Sequence, residues 1–145
     1  FGIVGVCGTY YLHAREFLAP VSIAAVAFGL LSTGVLNVNN MRDIHNDAAS
    51  GKRTLVVRMG LANAKRYHSF LVLGGIIILL FLFIAFMPSA KFLVIAWPIL
   101  LLPLVHLLKV RRTKEPRALD PQLKVLAMGT FFTALLFSLG LILAV

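Results

Sequence analysis

Asn39-Asn40-Met41-Arg42-Asp43-Ile44-His45-Asn46-Asp47-Ala48-Ala49-Ser50-Gly51-Lys52-Arg53-Thr54 is the most polar passage of a 145-residue chain. It directly follows an apolar run, Val21 to Val38, that is long enough to cross a bilayer. It also holds two of the five acidic residues. On a helix, residues four apart share a face. Asn39, Asn40, Asp43 and Asp47 would then form one oxygen-bearing stripe where a membrane helix meets water. His45 and Asn46 point away from it. Oxygen ligands at that spacing suit a hard cation such as magnesium, which takes one or two carboxylates and completes its shell with water and phosphate oxygens. Arg42, Lys52 and Arg53 lie within reach of the same mouth. Carboxylates beside cations fit a magnesium–diphosphate, with the metal bridging acids to anion and the bases holding the remaining negative charge.

Composition agrees with a membrane setting. The chain is 60% hydrophobic and 13% charged, with a mean hydropathy of +0.95. Soluble domains are nearer half apolar and a quarter charged, so a soluble globule is excluded. The fold class is all-α, a multi-spanning transmembrane helical bundle. One cysteine, Cys7, forms no intrachain disulfide and reads as a buried thiol.

Working outward, residues 1 to 12 read as the end of a membrane helix, closed by Tyr10 and Tyr11 at the interface. His13 to Glu16 is a polar turn. Phe17 to Leu36 is a full span, its twenty residues at roughly 1.5 Å each matching a hydrocarbon core of roughly 30 Å. Gly51 ends the motif helix, and Gly60 to Arg66 turns into the next one. Further spans are His68 to Met87, Phe92 to Leu108 and Val125 to Val145. A tight turn at Pro88 to Lys91 and a polar loop from Lys109 to Lys124 join them. Pro98 and Pro103 should bend the third span. His106 reads as a structural hydrogen bonder.

Charge sets orientation. Arg42, Lys52, Arg53, Arg58, Lys65 and Arg66 surround the motif, and Lys109, Arg111, Arg112, Lys114, Arg117 and Lys124 fill the later loop. The other two connections carry Arg15 and Lys91, one base each. Alternate loops are basic, as the positive-inside rule requires. The motif and the later loop therefore face the cytoplasm. Topology accounts for the net charge of +9, and no nucleic-acid partner is expected.

The pattern Asn-Asn-x-Arg-Asp-x-x-x-Asp-x-x-x-Gly-Lys-x-Thr-Leu-x-Val-Arg-x-Gly, from Asn39 to Gly60, resembles the second aspartate-rich motif of the UbiA superfamily of intramembrane prenyltransferases. The double Asn, Arg42-Asp43 and Gly51-Lys52-Arg53-Thr54-Leu55 resemble the branch that prenylates 1,4-dihydroxy-2-naphthoate in menaquinone synthesis. Phe1-Gly2, Gly8-Thr9-Tyr10-Tyr11 and the order of segments are similar to that branch as well. The resemblance implies the C-terminal part of a roughly nine-helix fold, residues 1–145 being part of one domain. It implies an integral protein of the bacterial plasma (inner) membrane. It implies magnesium as cofactor, and as partners polyprenyl diphosphate, the dihydroxynaphthoate acceptor and the lipid bilayer. Asp43 and Asp47 would be catalytic metal ligands. Asn39, Asn40, Arg42, Lys52 and Arg53 would bind substrate.

The family's first aspartate-rich motif has no match here, and Asp120 stands alone beside Pro121. The stretch by itself is therefore expected to be inactive. Other aromatic acceptors, such as 4-hydroxybenzoate, stay open. The CDP-alcohol phosphotransferases open their signature with Asp-Gly, which this sequence lacks. Transporters keep ionisable residues at mid-membrane, whereas these spans carry almost none.

The charge pattern predicts labelling from one side. Cysteines placed at Ser50 and Thr113 should be shielded from an impermeant thiol reagent outside intact cells, and one at Ser89 should react. Labelling at position 50 in sealed cells would reverse the orientation.

Overall fold

The computed structural model describes the backbone over residues 1–86 and 90–144, and side chains over 1–86 and 101–142. A short π-helical segment, Ile3–Cys7, leads into α1 (Gly8–Ala14). Then follow α2 (Ala19–Arg42), α3 (Ile44–Ala49), α4 (Leu55–Phe86), α5 (Ala90–Arg112) and, after a single 3₁₀ turn at Pro116–Leu119, α6 (Asp120–Ala144). No strand occurs among the described residues. An all-helical answer follows from the composition: in hydrocarbon each backbone amide must be bonded within its own segment.

Three helical stretches among the described residues are long and apolar enough to span a membrane: Ala19–Arg42, Leu55–Phe86 and Pro116–Ile142. Their outward faces are oily. Phe70, Leu73, Ile77, Phe81 and Ile84 run along one side of α4, and Phe131, Leu135, Leu139 and Ile142 along α6, all exposed. Such continuous apolar faces belong against lipid or protein.

α2 is the central helix, packed against the π-helical segment, α4 and α6. Pro20 in its first turn is pre-set for helical φ and gives up an N–H that would have no helical partner there. Its buried residues Ala24, Ala27, Leu31, Gly34, Val38 and Met41 recur every three or four positions, one continuous face. That face meets Val72, Ile76, Leu79, Leu82 and Phe83 of α4, and Leu126 and Phe137 of α6. Asn37, buried on the same face, donates to the Ala64 carbonyl of α4 at 3.1 Å.

The spans run past their expected ends. α2 carries the motif's first turn to Arg42, and α5 continues through Pro103 to Arg112. The expected polar loop from Lys109 to Lys124 contracts to the segment around the 3₁₀ turn, because four of its six bases, Lys109, Arg111, Arg112 and Lys124, sit on α5 and α6. The expected turn at Gly60 is present as a break inside α4, where φ is +76° and ψ 161°. The left-handed region is cheap only for glycine. Residues 87–89, the end of the expected second span and the first half of the turn expected at Pro88 to Lys91, lie outside the described residues.

His106 makes the structural hydrogen bond expected of it, and its partner is His68. Their Nε2 atoms lie 2.8 Å apart in the core between α4 and α5. One Nε2 carries the proton and the other accepts it. The two helices are joined again near the C-terminal end of α5. Arg111 Nε donates to Ser69 Oγ at 3.2 Å, and Lys65 Nζ donates to the Thr113 carbonyl.

At Gly75 the α2–α4 approach is tightest. A Cβ there would lie 2.9 Å from Leu31 Cγ and 3.1 Å from the Ala27 carbonyl oxygen. Leu31 can rotate, but the carbonyl cannot leave its helix. Gly75→Ala should therefore destabilise the protein by about 1–3 kcal/mol, the range of core overpacking. Gly74→Ala, which meets only the flexible tip of Leu30 at 3.3 Å, should cost less. Thermal midpoints in detergent decide it, and equal midpoints for both variants would refute the close-approach account.

Candidate functional site

The motif folds as two hydrogen-bonded turns around a break. Asp43 ends α2 with φ −97° and ψ 9°, and α3 starts at the next residue. The single continuous helix expected through the motif is thus interrupted. The four-residue hydrogen-bond frame nevertheless survives: Asp43 N–H donates to the Asn39 carbonyl at 3.1 Å, and Asp47 N–H to the Asp43 carbonyl at 2.9 Å. His45 and Asn46 are exposed, off the stripe as expected.

After α3 the chain reverses through Gly51, at φ +75°. Gly51 N–H donates to the Ala48 carbonyl at 3.2 Å and Lys52 N–H to the Asp47 carbonyl at 2.9 Å. This pair of bonds is the Schellman helix ending. It turns Lys52 back over α3, and its Nζ lies 3.3 Å from Asp47 Oδ1. Thr54 then caps α4, its Oγ1 accepting from Val57 N–H at 3.2 Å. The Gly51, Lys52 and Thr54 positions of the motif thus have folding roles of their own.

Each motif carboxylate is paired with a cation. Asp43 takes two hydrogen bonds from one guanidinium, Arg42 Nε to Oδ1 at 2.9 Å and Nη2 to Oδ2 at 2.7 Å. These bonds hold the Asp43 carboxyl below its ordinary range. It is therefore ionised throughout the neutral range, and its share of stability is lost only as pH falls into the acid range. Arg42 Nη2 also donates to Asn39 Oδ1 at 3.0 Å. Asp47 is 7% exposed, less wet than a helix end at a membrane mouth was expected to be. Lys52 is mostly exposed, Arg53 exposed, and Asn40 partly buried.

One participant was missed. Asp120, expected to stand alone, accepts from Arg42 Nη1 at 2.9 Å across 78 positions of sequence. Three of the five acids thus gather at one mouth. Their scarcity was the available signal, since an isolated acid at the start of an apolar helix is costly without a partner.

Beside α5 and α6 lies a cavity of about 710 Å³. Its walls are apolar, with Leu102, Val105, Met128 and Phe132, and its polar end carries His106, Gln122, Lys109 and Lys124.

No group of three or more metal-ligating His, Cys, Asp or Glu side chains occurs among the described residues. Two acidic oxygen donors one helical turn apart nevertheless fit magnesium, which binds through one or two carboxylates and draws its other ligands from water and phosphate. Nitrogen- and sulfur-loving metals find no such set here.

The UbiA prenyltransferase family model matches residues 1–136. The chain is 38% identical to the 1,4-dihydroxy-2-naphthoate octaprenyltransferase of Escherichia coli (strain K12), over 99% of this chain and 46% of that protein. It is 36% identical to the Haemophilus influenzae protein of the same name, over 98% of this chain and 46% of the relative. With the Mycobacterium leprae protein of that name the identity is 44%, over 53% of this chain and 26% of the relative. The chain thus spans about half the length of the first two relatives. No solved structure matches it. A match over nearly every residue, the motif and its apolar flanks included, places the chain in the UbiA prenyltransferase family.

Proposed function

We propose that the full-length protein transfers a polyprenyl group from polyprenyl diphosphate to 1,4-dihydroxy-2-naphthoate, releasing diphosphate and carbon dioxide and giving demethylmenaquinone in its reduced, hydroquinone form, demethylmenaquinol. The observation that carries this reading is the pairing of Asp43 with Arg42 and Asp47 with Lys52 at the end of a membrane-long helix. A site of alternating sign suits a ligand that is itself a cation–anion pair. The relatives, all 1,4-dihydroxy-2-naphthoate octaprenyltransferases by name, suggest the acceptor.

In this mechanism Asp43 and Asp47 would hold magnesium, with Asn39 and Asn40 as neutral oxygen donors to metal or water. The metal, when bound, neutralises diphosphate and improves it as a leaving group. Lys52 and Arg53, both exposed, bind the diphosphate oxygens left over. Arg42 fixes the Asp43 carboxylate and contributes positive charge at the same place. The allylic carbon–oxygen bond breaks and its electron pair leaves with diphosphate. The electron-rich ring carbon bearing the carboxylate attacks the allylic cation, and that carboxylate departs as carbon dioxide. Apolar helices around the reacting carbon keep water from quenching the cation. The apolar cavity along α5 and α6 is consistent with an isoprenoid chain reaching the mouth from within the bilayer. The mouth faces the cytoplasm of a bacterial inner membrane, on the distribution of basic residues.

Asp43→Asn and Asp47→Asn in the full chain should lower turnover by roughly two or more powers of ten, the scale of losing an electrostatic group at developing charge. Excess magnesium should restore part of it. Both variants should keep a thermal midpoint near wild type, because Lys52 is largely exposed and the quarter-exposed Arg42 keeps Asp120 as counter-charge, so each lost pair contributes little, about 0–1 kcal/mol. His45→Ala should leave turnover unchanged. Wild-type rates for both Asn variants at limiting magnesium would end the metal-site reading.

The acceptor is tested by offering dihydroxynaphthoate and 4-hydroxybenzoate in parallel. The naphthoate should be prenylated with loss of its carboxylate. Preference for the benzoate, its carboxylate retained, would leave the family assignment standing and overturn the acceptor.

A further inference from the structure

Arg42 serves two carboxylates that lie 78 positions apart in the chain. Through Nε and Nη2 it occupies both oxygens of Asp43, and through Nη1 it holds Asp120 Oδ1 at 2.9 Å. Asn39 Oδ1 takes a further bond from Nη2 at 3.0 Å. Every side of the fork is engaged with protein. On the reading proposed above, Asp43 must surrender at least one oxygen to a divalent cation. The guanidinium it leaves is about a quarter exposed. A cation in that position is costly without a counter-charge. Of the partners that stay, only Asp120 carries one. Asp120 opens α6, and Lys124, its other basic neighbour, is 3.9 Å away and largely exposed. The stronger claim on Asp120 is therefore Arg42.

We infer that Asp120 is a positioning residue. It keeps Arg42 at the mouth, charge-balanced, while Asp43 exchanges the guanidinium for a divalent cation. Without Asp120 that exchange strands the guanidinium, so the Arg42–Asp43 pair resists metal. The alternative is that Asp120 only fastens α6 to α2. That role would change the metal-free stability and leave the metal requirement alone. The inference rests on the metal reading of Asp43, and the two can fail separately.

The test titrates magnesium against the full chain in detergent at fixed inorganic pyrophosphate, with the rise in thermal midpoint as readout and no prenyl substrate present. Asp120→Asn should need roughly two- to fivefold more magnesium for the half-maximal rise, the scale of one partly exposed charge pair. Asp120→Ser, which removes the charge in a smaller side chain, should shift the requirement the same way, and Asp120→Glu should restore it. In turnover assays the Asn variant should raise the magnesium requirement and keep kcat near wild type at saturating metal. A wild-type magnesium requirement in both Asp120→Asn and Asp120→Ser overturns the inference, whatever happens to the metal-free midpoint. Asp43→Asn separates the readings. Loss of the magnesium-dependent rise in that variant, with Asp120→Asn unchanged, refutes only the role of Asp120. A rise that survives Asp43→Asn, or is absent from the wild type, refutes the metal reading and the inference with it.

Discussion

The approach of α2 to α4 sets where everything else sits. At Gly75 the absence of a side chain lets the α4 backbone close on Leu31 and on the Ala27 carbonyl. Lipid tails are as apolar as leucine, so burying oil between membrane helices yields little by itself. Close packing and a few buried polar bonds must supply the association instead. The α2–α4 seam has both: small residues along α2, and Asn37 donating to the Ala64 carbonyl near the motif end of α2. α5 joins the same assembly through the His68–His106 bond, and α6 through Leu126 and Phe137.

That seam also aims the chemistry. A helix of 24 residues is about 36 Å long at 1.5 Å per residue, enough to carry its last turn out of the hydrocarbon. Asn39, Arg42 and Asp43 therefore emerge at the end of the apolar stretch, partly exposed. The break at Asp43 and the Schellman turn at Gly51 fold the following residues back over that end instead of letting them trail away. Lys52 meets Asp47 because of that reversal, not because of sequence proximity on one helix.

The cations have two duties that sequence reading merged into one. All of them look like anion ligands when counted beside the motif. In the folded chain Arg42 is spent on Asp43, Asp120 and Asn39, and Lys52 on Asp47, while Arg53 stays exposed. Prepairing with Arg42 keeps the Asp43 carboxylate charged and ordered, since an unpaired charge in such a place is costly.

Helical class, membrane residence and the motif were legible in the sequence because each depends on local or summed properties. Hydropathy over twenty residues decides a span, the repeat of four places Asp47 one turn beyond Asp43, and the left-handed tolerance of glycine marks Gly51 and Gly60. Span limits were less legible, because bases such as Lys109 and Arg112 read as loop while their backbones continue α5. Asp120 and His68 were not legible. Nothing near Asp120 in sequence says that a guanidinium 78 positions earlier will meet it, and nothing near His68 names His106. The sequence alone determined that the chain is a bundle of membrane helices with an acidic mouth. Tertiary structure decided which charges meet there, because partner choice depends on how α6 is set against α2, and helix packing is a property of two surfaces rather than of either strand of sequence.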